Sequence, residues 1–118
     1  MSVMEAELVR SADRRRWPRV NVRLPLRIID TDGDFRVLTG ETVDVSVGGV
    51  LAVVDGPLTG ALQATVRLHL VDGPALVCGA RVAGGGAVDG GWQYRLAFFD
   101  LASDEVEALA HAVRLATP

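Results

Sequence analysis

Arginine side chains are concentrated near the start of this 118-residue chain, whose formal net charge is −3. All of its basic residues are arginines, and seven of them fall in residues 10–27, where Asp13 is the only acid, so this segment carries a formal charge of +6. A guanidinium group is planar, always charged and able to donate two parallel hydrogen bonds to a phosphate or a carboxylate. The segment therefore predicts a local anion-binding site on an otherwise acidic protein.

Two short motifs contain the side chains that we expect to form this site. Arg15 and Arg19 make an R-x-x-x-R pattern, and further along the chain residues 44–49, DVSVGG, make a D-x-S-x-x-G turn between two strands. The carboxylate of Asp44 accepts hydrogen bonds, and the hydroxyl of Ser46 both donates and accepts them. The two final glycines would allow positive φ angles and a close approach of the backbone to a ligand. An Asx or ST turn that only shapes the hairpin is the structural alternative for this stretch.

Other groups that could do chemistry are isolated, so we expect neither a catalytic centre nor a metal site. His69 and His111 are far apart and have no nucleophile in a neighbouring motif. Cys78 is in phase with the apolar positions of its strand, which indicates a core residue. Residues 30–41 place four acids at spacings found in calcium loops, but Phe35 stands where the sharp turn needs glycine.

The alternation of apolar and polar residues indicates the strands that hold the motifs. Apolar residues occupy every second position from Val20 to Ile28, the period of a half-buried strand, and Pro25 marks an edge or a bulge. An amphipathic helix of about three turns begins at Ser103. This pattern is typical of an antiparallel sandwich or small barrel. Further strands are predicted at 39–45, 50–54, 63–71, 76–83 and 92–98, with a hairpin loop at 30–34 and a glycine-rich loop at 84–91.

Both motifs, in this order and among these elements, resemble the PilZ family of bacterial receptors for cyclic di-GMP over nearly the whole chain. The resemblance implies an all-β fold with one helix: a six-stranded antiparallel PilZ-type β-barrel followed by a C-terminal α-helix. It also implies a PilZ domain at residues 14–118. Because the arginines precede the first regular strand, we expect a flexible N-terminal arm at residues 1–13. Arg81 is a further candidate contact, with exposure to solvent as the alternative. The ligand-binding residues implied by the resemblance are Arg14, Arg15, Arg19, Asp44, Ser46 and Gly49, whereas Arg16 and Trp17 inherit no fixed role.

The chemistry of cyclic di-GMP suits these residue types. One edge of guanine presents O6 and N7, two adjacent acceptors that match the fork of an arginine. The same guanidinium group can stack on a purine or hold a phosphate through two bonds. The other edge presents N1–H and an amino group, from which the carboxylate of Asp44 can accept. Basic and acidic residues would therefore recognise opposite edges of the base.

These expectations describe a receptor and effector without catalysis, cofactor or metal, whose N-terminal arginine arm is ordered by ligand and which signals to an unidentified partner protein. Motility, biofilm, exopolysaccharide or virulence control is the implied process. The single cysteine and the absence of a signal-like or membrane-spanning stretch agree with a cytoplasmic location without membrane insertion. Monomer and homodimer both stay open, as do one and two bound ligands. The alternatives are a ligand-independent PilZ-like interaction module and, disfavoured by the acidic body and few aromatics, a nucleic-acid binder.

Overall fold

Six β-strands and one α-helix make up the part of the chain that the structure, a computed structural model, describes, namely residues 18–31, 35–59 and 63–116. The helix confirms the amphipathic pattern that begins at Ser103. The elements are β1 (Pro25–Ile29), β2 (Val37–Ser46), β3 (Gly49–Val54), β4 (Gln63–Leu68), β5 (Leu76–Val88), β6 (Gly91–Phe99) and α1 (Ser103–Ala116).

The strands close into an antiparallel barrel in the order β1-β2-β3-β6-β5-β4. Closure is visible at Leu26, which pairs with Gly40 of β2 on one side and with Leu68 of β4 on the other. A closed sheet leaves no long unpaired edge, which small open sheets must otherwise protect. The six-stranded antiparallel barrel with one C-terminal helix confirms the predicted fold class.

The barrel interior is filled by the alternate apolar positions of every strand. Leu26 and Ile28 of β1 are buried, while Arg27 between them is exposed, as the two-residue period requires. Two residues of α1, Leu109 and Val113, are also buried and join the same core. The helix starts with a capping contact, because the backbone N–H of Ala102 donates to Oε1 of Glu105 at 2.8 Å.

Three stretches differ from the sequence-based expectations. The segment from Val20 to Leu24 is joined to β2 by separate hydrogen bonds at Val20, Val22 and Leu24 and not by a continuous ladder. The regular strand starts only at Pro25, which as a first strand residue needs no ladder N–H. The strand expected at 63–71 ends at Leu68. The expected glycine-rich loop at 84–91 is wrong, because residues 84–88 continue β5 and pair with β6.

The long β5–β6 hairpin explains why its glycines look like a loop in the sequence. Gly85 has φ +143°, and a Cβ there would lie 2.1 Å from the carbonyl oxygen of Gln93 on β6. Gly90, with φ +84°, forms the turn between the two strands. Glycine is therefore needed here for close strand pairing as well as for the turn. The sequence alone does not distinguish the two roles, because the strand that pairs with these glycines is known only from the structure.

Candidate functional site

The turn between β2 and β3 brings the residues of the D-x-S-x-x-G motif together. The hydroxyl of Ser46 accepts a hydrogen bond from the backbone N–H of Gly48 at 3.2 Å and donates to the carbonyl of Gly49 at 3.3 Å. This is the ST-type turn that the sequence offered as a structural role. Ser46 is largely buried, at 8% exposure, and because a hydroxyl has two acceptor lone pairs, one of them is not used by these bonds.

Gly49 is required by the backbone of a neighbouring strand. It pairs with Ala97 of β6, and a Cβ at position 49 would lie 2.0 Å from the carbonyl oxygen of Leu96. The φ angle of Gly49 lies outside the left-handed region, so the expectation of a positive φ is wrong at this residue. The close approach that was expected does occur, and its partner is β6.

Asp44 faces outward because β2 contains a bulge. The pairing of β2 with β3 shifts between Thr42 and Asp44, which leaves Val43 as the extra residue. Thr42 and Val45 are both buried although they are three positions apart, whereas a regular strand would put them on opposite faces. The bulge therefore keeps both of these side chains in the core and directs the side chain of Asp44 to the outer face of the sheet, where Arg95 largely covers it.

Asp44 forms an ion pair with Arg95, an arginine outside both sequence motifs. Nη1 of Arg95 lies 3.0 Å from Oδ1 of Asp44, and Nη2 lies 3.4 Å from Oδ2. The side chain of Arg95 is 32% exposed and that of Asp44 is 13% exposed. Alternation with buried Tyr94 and Leu96 would have placed Arg95 on the outer face, but only the register of three strands reveals its partner.

Arg19 approaches the same turn through backbone pairing. The N–H of Val20 donates to the carbonyl of Val45 at 3.0 Å, and the N–H of Val45 returns a bond to Val20 at 2.9 Å. Because Val20 pairs with Val45, the backbone of Arg19 lies next to the start of the β2–β3 turn at Ser46. The side chain of Arg19 is exposed. Arg14, Arg15, Arg16 and Trp17 lie outside the described residues.

A second contact fixes the chain that follows Arg19 to β2. The backbone N–H of Leu24 donates to Oγ1 of Thr42 at 2.8 Å, and the N–H of Thr42 donates to the carbonyl of Leu24 at 2.9 Å. Thr42 is fully buried, so its hydroxyl satisfies a donor that water cannot reach. The chain after Arg19 is thus bonded to β2 on both sides of the bulge, at Thr42 and at Val45.

The outer face of β2, β3, β6 and β5 arranges these residues in two adjacent rows. One row runs from Asp44 through Leu51 to Arg95, and the other runs from Ser46 through Gly49 and Ala97 to Arg81. Arg81 is exposed, and the two residues between it and Ser46 are small. The result is a low floor with Ser46 at one end, where the backbone of Arg19 comes near, Arg81 at the other end, and the Asp44–Arg95 pair along one side.

The remaining polar candidates have structural surroundings. Burial, with a smaller contribution from the charge of Glu105, raises the pKa of the Cys78 thiol to about 11, as expected for a core residue. Asp30 is buried and accepts bonds from the backbone N–H and the hydroxyl of Thr59 at 2.7 and 2.8 Å. Across residues 18–31, 35–59 and 63–116, no group of three or more potential metal ligands occurs.

Within the part of the chain that the structure describes, α1 is too short and too polar to cross a membrane, and no other helix there qualifies. A comparison with curated protein sequences finds no match.

Solved structures share the fold at low sequence identity. The inhibitor of motility MotI/DgrA of Bacillus subtilis aligns with a TM-score of 0.71 and 16% identity, over 86% of this chain and 50% of that one, so the chain spans about half the length of that relative. The PilZ domain of YcgR from Escherichia coli, solved with c-di-GMP, gives a TM-score of 0.70 and 13% identity over 87% and 91%. The PilZ domain of CeSA from a cellulose-synthesizing bacterium gives 0.61 and 21% over 82% and 95%.

A family model describes the chain more directly than these structures do. The PilZ domain model matches residues 13–115, a range that includes both motifs and every strand of the barrel. The chain belongs to the PilZ domain family.

Proposed function

We propose that this protein is a cyclic di-GMP receptor without catalytic activity, which binds its ligand on the outer face of β2, β3 and β6. The observation that carries the proposal is the convergence of Asp44, Ser46 and Gly49 on one turn, with Arg19 paired to that turn through Val20. Residues separated by more than twenty positions meet there in the order and spacing of the family motifs. The YcgR PilZ domain, which was solved with c-di-GMP, supports the choice of ligand.

Each of these residues has a separate task in the proposed complex. The carboxylate of Asp44 accepts from N1–H and the amino group of a guanine, and the free lone pair of Ser46 accepts one further donor. Arg14, Arg15 and Arg19 donate to phosphate oxygens and to O6 and N7 of guanine. The small side chains along the floor, Gly49 and Ala97, leave room for a flat purine to lie close to the sheet. Arg81, at the far end of the row, is a further contact.

Ligand binding also changes the surface that a partner protein sees. The arm of residues 1–13 and the arginines that follow it close over the ligand and become ordered on binding. An unidentified effector protein then recognises the covered site in the cytoplasm. Two structural neighbours, an inhibitor of motility and a domain from a cellulose-synthesizing bacterium, support motility or exopolysaccharide control as the class of process.

A ligand-independent interaction module is the second candidate. It is favoured by the observation that Ser46 and Asp44 already have protein partners in the structure, namely the turn backbone and Arg95. In that case the motif would serve only to shape the β2–β3 turn. The two candidates differ in whether cyclic di-GMP binds at all.

Calorimetric titration with cyclic di-GMP separates the two candidates. We expect the parent protein to bind, and Arg15→Ala, Arg19→Ala and Asp44→Ala each to raise Kd about 10- to 100-fold, because a charge-assisted hydrogen bond contributes about 1.5–3 kcal/mol. Arg67→Ala is the matched control, since Arg67 is an exposed arginine on β4, on the side of the barrel away from the β2–β3 turn. No heat and no shift in Tm at high micromolar ligand would reject the receptor and leave the interaction module.

Hydrogen exchange tests the closing of the arm separately. Residues 1–19 should exchange more slowly in the presence of saturating cyclic di-GMP, whereas unchanged protection would reject the ordering step alone. Cyclic di-AMP should bind much more weakly, because adenine replaces the O6 acceptor with an amine and lacks the N2 donor. Equal binding of both dinucleotides would remove the proposed role of Asp44.

A further inference from the structure

The side chain of Arg95 is directed toward Asp44 across an intervening strand. Asp44 pairs with Leu51 of β3, and Leu51 pairs with Arg95 of β6, so the three residues form one row on the outer face. Neighbouring strands lie about 4.8 Å apart, which puts the backbones of Asp44 and Arg95 roughly 10 Å from each other. The contact therefore uses nearly the full reach of an arginine and passes over the half-buried side chain of Leu51.

The surroundings leave Arg95 one acidic partner among the described residues. On its other side Arg95 pairs with Gly84 of β5, where no side chain is present and the space beside the backbone is open. Two nitrogens of the guanidinium group contact two different oxygens of Asp44, which fixes the plane of the carboxylate as well as its position. A single point charge would attract the carboxylate without fixing its plane.

We propose that Arg95 is a positioning residue that sets the guanine specificity of the site by holding the carboxylate of Asp44 in the orientation that accepts from N1–H and the amino group. This inference rests on the proposed function and names a residue outside both sequence motifs. An ionised carboxylate has about four acceptor positions. Arg95 occupies one on each oxygen, so each oxygen of Asp44 keeps a position for a donor of the base.

The contact with Arg95 also explains how the carboxylate of Asp44 can be largely buried. Asp44 is only 13% exposed on its side chain, and a charge so far removed from water needs an opposite charge or several hydrogen bonds. Arg95 supplies this charge before any ligand arrives. The site is then preorganised, because the ligand does not have to orient Asp44 on binding. In metal sites, residues that orient a ligand from behind change metal affinity or activity about 10- to 100-fold when they are replaced, and we expect an effect of the same order here.

The test compares two cyclic dinucleotides on the intact chain. We expect Arg95→Gln to raise Kd for cyclic di-GMP about 10- to 100-fold and Arg95→Lys to raise it about 10-fold, since lysine keeps the charge and loses the fork. Cyclic di-AMP offers Asp44 neither N1–H nor N2–H, so its Kd should change little. The discrimination, which is Kd for cyclic di-AMP divided by Kd for cyclic di-GMP, should therefore fall by the same factor. Arg67→Gln, on an exposed arginine of β4, should leave both constants at the parental values.

A double-mutant cycle establishes that Arg95 acts through Asp44. In an Asp44→Asn background, Arg95→Gln should change Kd for cyclic di-GMP by less than about threefold, because the group that it orients is already altered. The inference is overturned if the parent binds cyclic di-GMP and the Arg95→Gln variant binds it with the same affinity or the same discrimination against cyclic di-AMP. The receptor function would then still stand. Additive effects in the cycle, or a lower Tm with an unchanged ratio of Kd values, would likewise overturn the inference. A parent that does not bind overturns both.

Discussion

Replacing Gly49 with alanine should destabilise the barrel before it affects any ligand contact. The added Cβ would stand 2.0 Å from the carbonyl oxygen of Leu96. Real Cβ atoms essentially never come closer than 3.0 Å to such an atom, so β3 and β6 would have to separate by about an ångström at this end. Both atoms belong to backbone or to a rigid methyl group, and neither can move aside by a change of rotamer.

The expected cost follows from what this separation disrupts. Overpacking against a rigid neighbour costs about 1–3 kcal/mol. Weakening one or two backbone hydrogen bonds at this end of the β3–β6 ladder adds about 1 kcal/mol for each. The sum is about 2–5 kcal/mol, which for a domain of this size lowers Tm by roughly 10–20 °C.

Thermal unfolding of Gly49→Ala and Gly86→Ala measures the effect with a matched control. Gly86 also lies in a paired strand, but a Cβ there would meet no atom within 4 Å, so its replacement should change stability by less than about 1 kcal/mol. Calorimetry on the folded Gly49→Ala protein then reports the secondary effect on ligand binding. A Gly49→Ala protein that melts within about 2 °C of the parent but no longer binds cyclic di-GMP would refute the argument and make this glycine a ligand contact.

Two further predictions concern buried groups. Thr42→Val should lower the free energy of unfolding, measured in urea, by about 1–3 kcal/mol, because it leaves the N–H of Leu24 without its acceptor at 2.8 Å. It should also weaken the binding of cyclic di-GMP several-fold, because the chain after Arg19 is held less firmly. An unchanged urea midpoint would contradict this prediction. The Cys78 thiol should resist thiol reagents at pH 8 in the folded protein, since burial and then Glu105 raise its pKa to about 11 from 9.0. As pH rises, the thiol of the unfolded chain loses its proton before that of the folded protein. The protonated Cys78 therefore contributes up to about 3 kcal/mol to the free energy of unfolding below pH 9, and this contribution is lost as pH rises toward 11. Rapid labelling at pH 8 without unfolding would contradict this.

The sequence predicts the parts of the fold that depend on local alternation. Leu26 and Ile28 on either side of Arg27 indicate a strand with one buried face, and the residues after Ser103 indicate a helix. The stretch from Gly84 to Gly91 was mistaken for a loop because glycine serves both turns and close strand pairs, and a single sequence does not distinguish them.

The sequence predicts which motif residues come together, whereas their contacts with a ligand stay a prediction. Asp44, Ser46 and Gly49 do lie on one turn, and the backbone of Arg19 lies next to it. The reason for Gly49 was wrong in part, since the close approach is to β6 and needs no positive φ. Arg95 was missed because its partner is 51 positions away, and the register that joins them depends on the bulge at Val43. Contacts between distant strands are fixed by tertiary pairing, which alternation does not encode.

The two hydrogen bonds between Val20 and Val45 make the site a property of the completed fold. Arg19, Asp44 and Arg95 come from three distant parts of the chain, and closing the loops between them costs entropy that only the finished barrel recovers. A fragment or a partly folded intermediate would hold at most some of these groups. Occupancy by ligand would therefore stabilise the barrel as a whole by RT ln(1 + [L]/Kd). If the chain binds cyclic di-GMP as proposed, the fraction of molecules that binding stabilises would in turn report the fraction of correctly closed barrels in a preparation.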